Sequence, residues 1–163
     1  MIKDFAVRAT LVAPVLMLGV ATPARAGDDP TDICPAIVVD NATRNAAYYP
    51  PAQSRNRRDF SHIAVILSAT ASCVENDDDQ IVATVSVTYA VEAGTLYRGG
   101  ANVKIKAALT NNGAPVLEAE NAKETVLTPG TPATVTNTIA GILVGEDDAV
   151  EDGGFTLTVG LVP

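Results

Sequence analysis

The chain contains no tryptophan, a single histidine and only two cysteines, and aromatic residues make up 4% of it. These absences remove several kinds of chemistry. A zinc site usually takes three or four His or Cys ligands, more than this chain supplies if its cysteines are bonded. No G-x-S-x-G elbow is present to place a serine nucleophile. The lone His62 stands near Asp59 and Ser61, but a triad is defined in space, and neighbours on a strand point to opposite faces. His62 therefore reads as a surface residue at the start of a strand. Basic residues are also scarce, 11 Lys and Arg against 19 Asp and Glu. Nucleic acid and anionic membrane surfaces are poor partners for such a chain, because phosphate binding draws on clustered Lys and Arg.

Apolar runs of membrane-spanning length are missing as well. The longest, Ala9 to Ala21, is shorter than the roughly 20 residues a bilayer needs. With Lys3 and Arg8 before it and an Ala-x-Ala-like site at Ala24 and Ala26 after it, residues 1–26 read as a cleaved secretory signal. Cleavage would remove Lys3, Arg8, Arg25 and Asp4, leaving a single domain over residues 27–163 with a net charge of −10. An exported chain meets an oxidising compartment, so Cys34 and Cys73 read as one disulfide. The alternative for Cys34 is lipid attachment. The residues before it, "TDI" (Thr31 to Ile33), lack the small side chains such a site needs, which argues against an anchor.

The rest of the chain reads as strands and turns. "AIVV" (Ala36 to Val39) is a short β-branched run. Residues 40–59 show no period and read as a long surface connection. Ser61 to Val74 reads as a strand. Between Ile81 and Glu92 the apolar set Ile81, Ala83, Val85, Val87, Tyr89, Val91 alternates with a mostly polar set, the signature of a half-buried strand. Val103, Ile105, Ala107 and Leu109 repeat that pattern, and "NNG" at Asn111 to Gly113 predicts a tight hairpin into Pro115 to Glu120. Ala133 to Val144 and Phe155 to Val162 complete about seven strands. The fold class expected is all-β, an antiparallel β-sandwich of immunoglobulin-like type with one disulfide, and a barrel as the second choice.

Two acidic turns and one basic stretch are the candidate sites. An EF-hand loop needs ligand oxygens at alternate positions, glycine at the sixth and glutamate at the twelfth. From Asp77 the sixth residue is Val82; from Asp148 the sixth is Gly153, but the third is Val150 and the twelfth Val159. Both fail that motif. Calcium also accepts carboxylates from separate loops, so Asp77, Asp78, Asp79, Asp147, Asp148 and Asp152 would share an ion if the fold brought them to one pole. Solvated turns are the plainer explanation. Arg55, Arg57 and Arg58, with Tyr48 and Tyr49 nearby, are candidates for contact with an anionic group on an envelope polymer or protein. "NAT" at Asn41 is a glycosylation acceptor pattern.

Several short motifs carry a family resemblance: "CPAIVV" (Cys34 to Val39), "RDF" (Arg58 to Phe60), "SATASC" (Ser68 to Cys73), "VSVTYAVEAG" (Val85 to Gly94), "KAALTNNGAPVLEAE" (Lys106 to Glu120) and "FTLTVGLV" (Phe155 to Val162). In their order the chain resembles a family of small uncharacterised envelope proteins and lipoproteins of alphaproteobacteria. The resemblance implies a periplasmic β-rich domain with no established enzyme activity. Family members often begin at a lipidated cysteine, and this chain departs from them there. The function expected is that of a non-enzymatic structural or interaction module of the cell envelope. A calcium-stabilised adhesion or ligand-binding domain is the alternative.

Overall fold

The computed structural model describes residues 33–50, 59–151 and 153–163. The signal segment, Arg55, Arg57, Arg58 and Asp152 lie outside the described residues. In chain order the elements are β1 (Ala36–Val39), β2 (Asn45–Tyr48), β3 (His62–Glu75), β4 (Gln80–Ala93), β5 (Ala101–Asn111), β6 (Ala114–Thr125), β7 (Ala133–Glu146), α1 (Asp147–Glu151) and β8 (Phe155–Val162). They form two four-stranded sheets, β1-β8-β5-β6 (sheet A) and β2-β3-β4-β7 (sheet B). Every pairing is antiparallel except β1 with β8. Among the described residues no helix is long and apolar enough to cross a membrane.

Local chemistry sets the two hairpins. Asn112 (φ 49°) and Gly113 (φ 81°) both take positive φ, as a two-residue turn of type I′ requires, and Asn111 pairs with Ala114 across it. At the other hairpin Asn76 Oδ1 accepts from the backbone N–H of Asp78 and of Gln80, each at 3.0 Å. That asparagine holds the turn, and Asp77, Asp78 and Asp79 are left facing solvent.

The alternating sets then meet between the sheets. Ile81, Ala83, Val85, Val87, Tyr89 and Val91 of β4 are each 0–1% exposed. They face Val103, Ile105, Ala107 and Leu109 of β5 and Leu157, Val159 and Leu161 of β8, all buried. Removing a fully buried Val, Leu or Ile from water is worth about 1.5–3 kcal/mol, so these rows dominate the stability. The chain crosses between sheets four times, at β1 to β2, β4 to β5, β6 to β7 and β7 to β8. The pairs β4·β7 and β5·β8 are the interlocked pairs of an immunoglobulin-like Greek key. The tryptophan of antibody domains has no counterpart; Tyr89 is the largest fully buried side chain. Cys34 and Cys73 are bonded, with Cα atoms 5.4 Å apart. The bond ties the lead into β1, in sheet A, to the far end of β3, in sheet B.

Three expectations need correction. Residues 40–59 are not all connection: Asn45–Tyr48 pairs with His62–Val65 as the edge strand of sheet B. His62 is not on the surface but 5% exposed, because the register of β3 turns it inward with Ala64 and Ile66. The second acidic turn contains one helical turn, α1, opened by Asp147 and Asp148.

Candidate functional site

Three features on the sandwich have the makings of a site. The first is an acidic pole. The β3–β4 turn and the β7–α1 junction lie side by side, joined by Asp147 N–H donating to Asp79 O at 3.2 Å. Glu75, Asp78, Asp79, Glu146, Asp147 and Asp148 line an open concavity of about 400 Å³. The fold thus brings together four of the aspartates singled out in the sequence and adds Glu75 and Glu146, which flank the same turns. Asp77 belongs to the turn but does not line the concavity, and Asp152 is outside the described residues. Among the described residues, no three His, Cys, Asp or Glu side chains are grouped closely enough to hold a metal ion.

The second is a polar pair, His62 buried between the sheets and Tyr48 partly buried beside it. The rings of Tyr48 and His62 stack at 4.4 Å and 11°. His62 Nε2 lies 3.2 Å from the carbonyl oxygen of Asn102, which can only accept, so Nε2 carries the proton. Nδ1 is then free to accept from Ser61 Oγ at 3.3 Å. Burial pushes the imidazole below the ordinary histidine pKa, and the bond to Asn102 opposes this in part. Burial also raises the Tyr48 phenol to about 12. With both ring nitrogens partnered and the ring 5% exposed, His62 serves packing between the sheets. The face of Tyr48 is taken up by this stack; Tyr49, beside it, is half-buried.

The third is the outer face of sheet B, which no single strand of the sequence reveals. Register places Ser68, Thr88 and Thr136 in one row and Thr70, Ser86 and Thr138 in the next, with Ser72 opposite Thr84. Thr88 and Thr136 hydroxyls lie 3.0 Å apart, and those of Ser86 and Thr138 3.4 Å. Ile63, Val65 and Leu67 flank these rows at one end, and Val74, Val82 and Leu143 at the other. Leu67, Val74 and Leu143 are 45–64% exposed. From Ile63 to Val74, Val82 to Ala90 and Thr134 to Leu143, the outward positions carry no charge; Glu92 and Glu146 stand at the two ends.

Sheet A is treated differently. Its outward positions on β5 and β6 hold Lys104, Lys106, Glu118, Glu120 and Glu124, with ion pairs Lys104–Glu120 (3.3 Å) and Lys106–Glu118 (2.8 Å). The high strand propensity of threonine accounts for threonine on either sheet. It does not account for charge across the middle of one outer face and only at the ends of the other. The repeated S/T-x-S/T spacing in three segments is visible in the sequence, but only the register shows that the three share a face.

The free edge of β7 is closed by side chains from β6. Asn121 Nδ2 donates to Thr138 O at 2.7 Å and Lys123 Nζ to Thr136 O at 2.7 Å. Asn137, 4% exposed, donates back to Asn121 O at 3.3 Å. These bonds occupy backbone acceptors that an added strand would need. No protein-family model, curated protein or solved structure matches the chain.

Proposed function

We propose that this protein is a non-enzymatic, exported β-sandwich of the cell envelope, a structural or interaction module akin to the alphaproteobacterial envelope proteins it resembles. One observation carries the reading. A chain with 19 acidic residues keeps the middle of one broad outer sheet face free of charge, with Glu92 and Glu146 only at its ends, and exposes Leu67, Val74 and Leu143 around it. Exposed apolar groups on a neutral patch rimmed by polar residues mark contact surfaces. The Cys34–Cys73 bond supports export, since such bonds persist in oxidising compartments. The burial of the only histidine keeps that side chain out of reach of a substrate in solvent.

Photocrosslinking in intact cells tests this. A crosslinker at Thr136, on the neutral face, should form adducts with envelope components. One at Ala108, an outward position on sheet A, should form few. Absence of adducts from Thr136 would reject the reading.

The second reading, a calcium-stabilised domain, rests on the two acidic turns sharing one concavity. A ligand that binds the native state must raise its stability. An unfolding midpoint that rises with millimolar calcium and returns with chelator would support it, and an unmoved midpoint would remove it.

A further inference from the structure

We propose that the outer face of sheet B is where two copies of this chain meet. The proposal builds on the contact reading above and names the partner.

Three properties of the face point to a second copy. The first is charge. The chain has a net charge of −8, so two copies repel unless they meet where neither presents carboxylates. The outer face of sheet B offers such an area, with Glu92 and Glu146 at its ends where they stay in water. The outer face of sheet A does not, because Glu118, Glu120 and Glu124 lie there, and its ion pairs Lys104–Glu120 and Lys106–Glu118 would have to be desolvated under a second copy.

The second is self-complementarity. A two-fold interface sets a patch against itself. A hydroxyl both donates and accepts, so rows of Ser and Thr satisfy their own image, whereas a row of Lys or Glu cannot. The central rows, Ser68–Thr88–Thr136 and Thr70–Ser86–Thr138, are of this kind. The apolar groups at the ends of the face add non-directional attraction.

The third is size. About ten residues along each of three strands gives a patch of about 35 Å by about 15 Å, near 500 Å² per copy. Standard interfaces bury about 800 Å² per partner, and smaller ones belong to weak, transient pairs. The dimer inferred is therefore reversible, with a dissociation constant in the micromolar range. It forms by sheet-face packing, and strand addition at the β7 edge is opposed by Asn121 and Lys123, which occupy acceptors there.

Sedimentation of the full disulfide-bonded chain, from about 1 µM to about 1 mM, reads the equilibrium. Dimer should accumulate over this range and strengthen as salt screens the net repulsion. Ser86→Lys and Thr136→Lys should each weaken it by on the order of 10-fold, since each sets like charges against each other. Ala108→Lys, on the opposite sheet, should leave it unchanged, and unfolding midpoints of the three variants confirm that they fold. A chain that stays monomeric at the highest concentration, or a Ser86→Lys chain that associates like the parent, overturns the proposal. The crosslinker at Thr136 separates the two readings. If it captures a different protein while the pure chain is monomeric, the second-copy proposal fails and the contact module stands. If it captures nothing, both fail.

Discussion

Breaking the Cys34–Cys73 bond should cost this domain about 4 kcal/mol. The two cysteines are 39 residues apart, and closing a loop of that length removes chain entropy from the unfolded state worth about 4 kcal/mol at room temperature. On a domain of this size that is a fall of about 12–15 °C in unfolding midpoint. The clean comparison is denaturant unfolding of the oxidised chain, the reduced chain and the Cys34→Ala/Cys73→Ala variant. The reduced and doubly substituted chains should agree within about 1 kcal/mol, since Cys73 is 2% exposed and loses little more than a sulfur atom. Their denaturant dependence should steepen, because an unfolded chain without the crosslink exposes more surface. A loss under about 1 kcal/mol with an unchanged slope would refute the reasoning. It would mean that the native state gains as much from release of the bond as the unfolded state does.

Other outcomes follow from the interior. Because burial lowers the His62 pKa, its neutral form stabilises the fold fully above the unfolded value of 6.5; that contribution should decline as pH falls below 6.5 toward the lowered folded value. Stability measured from about pH 7.5 to about pH 5 should fall for the parent chain and lose part of that slope in His62→Phe; identical slopes would sink the assignment. Tyr89 is 0% exposed and its hydroxyl has no partner among the described residues, so Tyr89→Phe should be neutral or stabilise by up to about 1 kcal/mol in urea unfolding. A loss larger than that would instead indicate a hidden partner such as a bound water. Asn137→Ala and Asn121→Ala should each cost about 1–3 kcal/mol, and a double-mutant cycle should show the losses to be less than additive because the two amides bond to each other.

The sheets are legible where one side of a strand is buried and the other is wet. Strict alternation marks β4 and β5, and Asn112-Gly113 marks the hairpin between β5 and β6 because few residues accept positive φ. β2 is not legible. Its first three residues, Asn45, Ala46 and Ala47, have little strand propensity, and the strand is held in place by pairing with β3, a long-range cause that local pattern does not carry. His62 misleads for a related reason: β3 is apolar on both faces at its start, so alternation gives no sign of which side faces inward. The acidic turns are legible as turns, but their adjacency follows from the β4·β7 pairing. The neutral face is hidden most completely. Each strand contributes an ordinary polar stripe, and only when the three stripes are put in register does the missing charge become a property of a surface.

The position of β1 bears on the order in which the molecule can assemble. Its only sheet neighbour among the described strands is β8, so Ala36 waits for Thr156 to be made before the two can pair. Cys73, the covalent partner of Cys34, emerges at less than half that distance along the chain. Where the chain emerges N-terminus first into an oxidising compartment, the β3–β4 hairpin and the disulfide can therefore form first, holding the leading strand beside the half-built sandwich. Most of the long-range search that slows high-contact-order β folds would then be complete before β8 arrives to fill the slot between β1 and β5.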